Sequence, residues 1–149
     1  MKRESCLVMD IGLVLIFAIS IILVSQQLIH AQECRIVRIY AEAEAETQRV
    51  RIEPETLSIR KGTCVIWNNW AWIEGKGEKI VLIKFREGKQ CEMNTDAPTS
   101  YKLDAESCYV SSYVKYGGTS SLRFNKQGTF DYVVESLGMD GARGKIVVQ

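Results

Sequence analysis

The sequence predicts an all-β sandwich placed behind an N-terminal apolar helix. Three observations lead there. From residue 48 onward the chain breaks into about seven short runs of β-forming residues separated by Gly, Pro and Asn turn signals. None of those runs reads as a helix. The uncharged apolar run, residues 11–24, stands apart from them at the N-terminus. The expected organisation is a leader or anchor over residues 1–31 and one sandwich domain over residues 32–149.

The leader comes first. Residues 11–24 read IGLVLIFAISIILV and follow Lys2 and Arg3. A basic start followed by about 7–15 apolar residues is the shape of a secretory signal. A full bilayer span needs about 20 residues, and Asp10 and Gln26-Gln27 bound this run. A core helix is the poorer reading, because no second apolar helix exists for it to pack against. The expectation is export, with two outcomes open. Cleavage after Ala31 would start the mature chain at Gln32. Retention would leave Lys2 and Arg3 in the cytoplasm, hold the chain in the membrane and project the domain outward.

Residues 36–46 carry IVRIY and then AEAEAE. The alternation predicts a first strand to about Ala43, with outward Glu residues protecting a sheet edge. Residues 48–53 (QRVRIE) put Val50 and Ile52 on one face, and Pro54 permits a bend. Residues 56–60 (TLSIR) turn Leu57 and Ile59 inward before the Lys61-Gly62 turn. Residues 63–68 (TCVIWN) and 79–85 (KIVLIKF) are dense β runs joined across a glycine-rich connection at 74–78. Residues 86–118 read as a long irregular stretch. Strands follow at 119–124 (TSSLRF), 129–135 (TFDYVVE) and 144–149 (GKIVVQ), with a turn at 125–128 and a glycine-containing loop at 136–143.

Charge excludes one class of function. The chain has 19 Lys+Arg against 18 Asp+Glu, a formal net charge of +1, and no basic stripe. A nucleic-acid-binding domain carries a basic excess, so nucleic acid is not expected as a partner.

The cysteines are Cys6, Cys34, Cys64, Cys91 and Cys108. Cys6 belongs to the leader, which leaves an even number for an oxidising compartment. Cys91 and Cys108 share the irregular stretch. A bridge between them would close a loop of about 17 residues and stabilise by roughly 3 kcal/mol. Cys64 sits inside a strand pattern and reads as a buried, inert side chain. The partner of Cys34 is open. No C-x-x-C pair occurs, so a zinc site is not expected.

The segment EPETLSIRKGTCVIWNN resembles the strand pair P-x-x-L and G-x-x-V-x-W-x-N of the cupredoxins, on Pro54, Leu57, Gly62, Val65, Trp67 and Asn69. The segment SLRFNKQGTFDYVVESLGMDGARGKIVV resembles the C-terminal half of the same family. It matches on Phe124, Gly128, Phe130, Tyr132, Gly144, Lys145, Ile146 and Val148. The resemblance implies a Greek-key β-sandwich of the plastocyanin and azurin kind. It also implies a type-1 copper site of two imidazoles, a thiolate and a weak axial Met. This sequence departs from that pattern at every ligand. Trp72, Ile73 and Glu74 surround the first His position. Val134 stands for Cys, Leu137 for His and Ala142 for Met, with Met139 out of register. The one histidine of the chain, His30, lies in or beside the N-terminal hydrophobic segment. Blue-copper electron transfer is therefore not expected.

What remains is a set of candidates. Trp67, Trp70 and Trp72 cluster in WNNWAW. Trp67 reads as core, and Trp70 and Trp72 either close the sandwich end or form an aromatic platform on a loop. Ser111-Ser112 and Ser120-Ser121 have no histidine base to activate them. Asp131, Glu135, Asp140 and Glu74 read as solvated charge. The expectation is a non-enzymatic accessory domain outside the cytoplasm, with no cofactor and an envelope protein as partner. One alternative is a Cu(I) handler using Cys91, Met93, Cys108 and Met139, since soft ligands select Cu(I). Another is a redox partner acting through a labile Cys91–Cys108 disulfide.

Overall fold

The computed structural model describes residues 33–44, 47–87, 95–105 and 108–149, with side chains described for these apart from 86–87 and 95–98. The leader, Cys91 and Met93 lie outside the described residues. Among the described residues there are strands and no helix.

Period-two burial builds the first sheet. In β1 (Cys34–Glu44) Val37 and Ile39 are buried while Arg38 points out. In β2 (Thr47–Glu53) Val50 and Ile52 are buried, and Arg49, Arg51 and Glu53 are exposed. β4 (Cys64–Asn69) buries Val65, Trp67 and Asn69, and β11 (Thr119–Phe124) buries Ser120, Leu122 and Phe124. With β8 (Thr95–Thr99) these strands form a sheet in the order β2-β1-β4-β11-β8. β1 pairs antiparallel with β2 and parallel with β4.

The second sheet holds β3 (Thr56–Ile59), β7 (Val81–Glu87), β9 (Tyr101–Leu103), β10 (Tyr109–Ser111), β12 (Gly128–Ser136) and β13 (Ala142–Val148), in the order β3-β13-β12-β7-β10-β9. Its inward residues include Ile83, Phe85, Phe130, Tyr132, Val134, Ile146 and Val148. β5 (Trp72–Ile73) and β6 (Gly77–Glu78) form a separate small hairpin.

The two inner faces share one apolar core. Trp67 of the first sheet meets Phe85 and Tyr132 of the second edge to face, with centroids 5.6 and 5.5 Å apart. Gly144 is needed for this packing. It lies opposite Tyr132 in the β12/β13 register, and a Cβ there would run into the Tyr132 ring. Cys34–Gln149 is one compact unit.

Several expectations need correction. The first strand is not an edge, because β2 takes the edge position and pairs with β1 from Arg38↔Glu53 to Glu44↔Thr47. The glycine-rich connection at 74–78 contains part of the β5/β6 hairpin, and the irregular stretch at 86–118 contains β8, β9 and β10. Cys64 is buried but is not a free inert thiol. It is bonded to Cys34, directly opposite in the parallel register, with Cα atoms 4.4 Å apart.

Candidate functional site

One end of the sandwich gathers the C-terminal ends of β4 and β12 and the N-terminal ends of β7, β11 and β13. The connections that meet there would splay without a common anchor. Asn69 supplies it. This residue closes β4 and is fully buried. Its Nδ2 donates to the carbonyls of Lys79 and Val114, each at 2.8 Å, and its Oδ1 accepts from the Ala71 N–H at 2.8 Å. Its backbone N–H donates to the Gly118 carbonyl at 3.0 Å, and its carbonyl accepts from Gly117 N–H at 2.7 Å. A buried amide with every polar atom used is a rigid joint. It ties the connection after β4, the approach to β7 and the loop before β11.

That framework holds an exposed apolar surface. Trp70, Trp72, Ile80, Tyr113, Tyr116 and Leu137 are all exposed large hydrophobics on these connections. Tyr113 is 76% and Leu137 98% exposed, far beyond what core packing leaves open. They fall in two separate shallow grooves that share no lining residue. One, of about 500 Å³, is lined by Arg38, Tyr40, Ala41, Trp70, Trp72 and Tyr116. The other, of about 610 Å³, is lined by residues that include Ile80, Leu82, Tyr113 and Leu137. Trp70 and Tyr116 meet at right angles, with centroids 5.4 Å apart and planes at 89°.

The sequence-predicted residues fall as follows. Trp67 is core, and Trp70 and Trp72 are exposed at the loop end. Val134 is buried and pairs across the β12/β13 turn with Ala142. Met139 and Ala142 pack against the core, and Ile73 is buried. The carboxylates are spread rather than gathered. Asp131 pairs with Lys145 at 3.6 Å, and Glu135 pairs with Lys84. Asp140 uses its backbone to bridge Gln48 and Val50. Among the described residues no three His, Cys, Asp or Glu side chains gather in a way that could hold a metal ion. Ser111 is buried, and its hydroxyl accepts from Ile83 N–H at 2.9 Å. Cys108 is 7% exposed and disulfide-bonded. Its expected partner Cys91 lies outside the described residues.

Sequence reasoning missed the joint at Asn69 and the part played by Tyr113, Tyr116, Ile80 and Leu137. The W-x-N spacing was the one local signal for Asn69. The other residues are brought together only by the fold.

No family model matches this chain, and no curated protein matches it. Solved structures similar to it include three mutants of amicyanin. A reduced Cu(I) form is 22% identical, covers 80% of this chain and 85% of that one, and has a TM-score of 0.46. An oxidised form is 24% identical with the same coverage and a TM-score of 0.46. A further reduced form is 20% identical, covers 83% and 88%, and has a TM-score of 0.45.

Proposed function

We propose that this chain is a cupredoxin-like, Greek-key binding domain that works outside the cytoplasm, catalyses no reaction, and docks a protein of the cell envelope through its loop end. The observation that carries this reading is the set of exposed Trp70, Trp72, Ile80, Tyr113 and Tyr116 on connections tied by Asn69, with Leu137 on the β12/β13 connection at the same end. Exposed apolar clusters on a rigid frame are the usual form of a protein-binding surface. Cys34 is bonded to Cys64 at the N-terminal end of β4, whereas Asn69 closes the other end of that strand.

A type-1 copper site does not fit the residues present. Residues 33–149 contain no histidine, and Val134, Leu137 and Ala142 have no donor atom in their side chains. The Cu(I) reading loses support at Cys108, whose sulfur is in a disulfide and offers no thiolate. Met139 packs against the core.

The test places a photo-cross-linking residue at Tyr113 or Leu137 of the full chain in its own cell, with Lys126 as the control position. The expected result is one discrete adduct from the loop end, absent from Lys126 and lost when Trp70 and Trp72 become Ala. Equal adducts from both positions, or none, would overturn the reading. Native mass spectrometry after anaerobic Cu(I) addition tests the metal claim, and retention of one copper would refute it.

A further inference from the structure

This inference rests on the proposed docking role and names the chemistry of the partner. We propose that the groove between Tyr40, Trp70, Trp72 and Tyr116 takes an extended, proline-containing acidic segment of the partner protein, with a carboxylate held by Arg38.

Three observations converge on that ligand. The first is the shape of the groove. Trp70 and Tyr116 stand perpendicular at 5.4 Å, beside Tyr40 and Trp72. The two rings are in edge-to-face contact with each other, so the groove is a shallow aromatic surface on which flat pyrrolidine rings can stack. Proline-rich segments dock in aromatic-lined grooves because their extended conformation is already set and little entropy is lost on binding.

The second is charge. Arg38 lines the groove and takes part in none of the side-chain hydrogen bonds or ion pairs found among the described residues. Glu53 lies opposite it in the β1/β2 register, and the two do not pair. Glu42, two residues along the same face, is engaged instead by Arg49 at 3.0 Å and Arg51 at 2.8 Å. Those two guanidiniums hold the Glu42 carboxyl below its usual range and leave it ionised but occupied. Arg38 is therefore a cation beside aromatic rings with its donors unused, suited to a bidentate carboxylate.

The third observation concerns the common alternative. A peptide that adds a strand needs an open sheet edge. At Arg38 and Ile39, β1 is paired with β2 on one side and β4 on the other, and the Trp70 N–H donates to the Ile39 carbonyl at 2.7 Å; from Tyr40 onward β1 is paired with β2 alone. At Arg38, recognition runs through the side chain.

The experiment is fluorescence anisotropy with labelled nonapeptides on the purified full chain. The probes are three repeats of Pro-Pro-Glu, of Pro-Pro-Lys and of Gly-Ser-Glu. The Pro-Pro-Glu peptide is expected to bind at least about tenfold tighter than either of the others. Arg38→Glu is expected to reverse the order of the two proline peptides, and Trp70→Ala to abolish binding of both. Equal binding of Gly-Ser-Glu would reduce the effect to bulk charge and overturn the proposal. So would no discrimination between Glu and Lys, or no Pro-Pro-Glu binding at millimolar concentration. Trp70-dependent binding of polygalacturonate without peptide binding would make the groove a glycan site and also overturn it. The cross-linking from Tyr113 separates the two claims. If that adduct forms and survives Arg38→Glu while the peptides fail, the docking role stands and this assignment falls.

Discussion

Asn69 and Tyr132 show how single residues set this structure. The Asn69 amide faces two carbonyls with its nitrogen and one N–H with its oxygen. Asn69→Leu would take this partner from the Lys79 carbonyl and the Ala71 N–H, and leave the Val114 carbonyl with the Val81 N–H alone. Each buried group left without a partner costs about 1–3 kcal/mol. Asn69→Asp would turn an acceptor toward the two carbonyls and bury a charge. Both variants are expected to lose about 3 kcal/mol or more in urea denaturation, and a loss under about 1 kcal/mol for Asn69→Leu would refute the anchoring role. Little of this was legible in advance, because Asn69 bonds to residues 10 and 45 positions away. The inward turn of Trp67 was legible, since it follows from alternation in one strand. Gly144 illustrates the middle case. Its place in a G-K pair was visible, but the reason is the Tyr132 ring lying across it from the neighbouring strand.

The same division runs through the elements. β2, β3, β4, β11, β12 and β13 lie within one or two residues of the runs read from the sequence, because each buries alternate side chains on a shared core. β5, β6, β9 and β10 are two or three residues long. Their partners, not their composition, make them strands, and so period-two reasoning passed over them. β1 was found but misplaced. Outward charge reads the same on an edge strand as on a central strand with one solvated face. Its true position matters for the Cys34–Cys64 bridge, which joins the first residue of β1 to the first residue of β4 across 30 positions of sequence. Closing a loop of that length stabilises by about 3–4 kcal/mol in the chain-entropy model. Replacing both cysteines by Ser is expected to lower the urea midpoint accordingly while leaving cross-linking from Tyr113 intact. A simultaneous loss of both would place the bridge in the docking surface rather than in the frame.

At the scale of the molecule, the sandwich was legible from turns and alternation. The docking end was half legible. Trp70 and Trp72 announced themselves as neighbours in sequence, whereas Tyr113, Tyr116, Ile80 and Leu137 come from three other connections that only folding brings to the same end, where Tyr116 meets Trp70. The core has a property that the sequence did not disclose. Tyr101 and Tyr132 both bring hydroxyls into it, and neither hydroxyl makes a hydrogen bond of normal geometry. Burial pushes the Tyr132 phenol up to about 12, opposed only in part by the Trp67 indole N–H nearby. Burial likewise raises Tyr101 well above the usual range, with the Ser120 hydroxyl opposing and Tyr132 adding to the rise. An unfolded tyrosine titrates near pH 10. The folded state therefore holds these protons more tightly than the unfolded chain. The contribution of Tyr132 is complete below about pH 10 and is lost as pH climbs from about 10 through about 12, and that of Tyr101 is likewise lost only above about pH 10. Urea stability should be flat from neutral pH to about 9.5 and then fall, by up to about 1.4 kcal/mol per pH unit for each buried phenol. Unfolding should coincide with the late rise in tyrosinate absorbance, and Tyr132→Phe should make the fall shallower. A curve that stays level past pH 11.5, or a Tyr132→Phe variant with an unchanged slope, would mean that the core admits the phenolate and is looser than its packing implies.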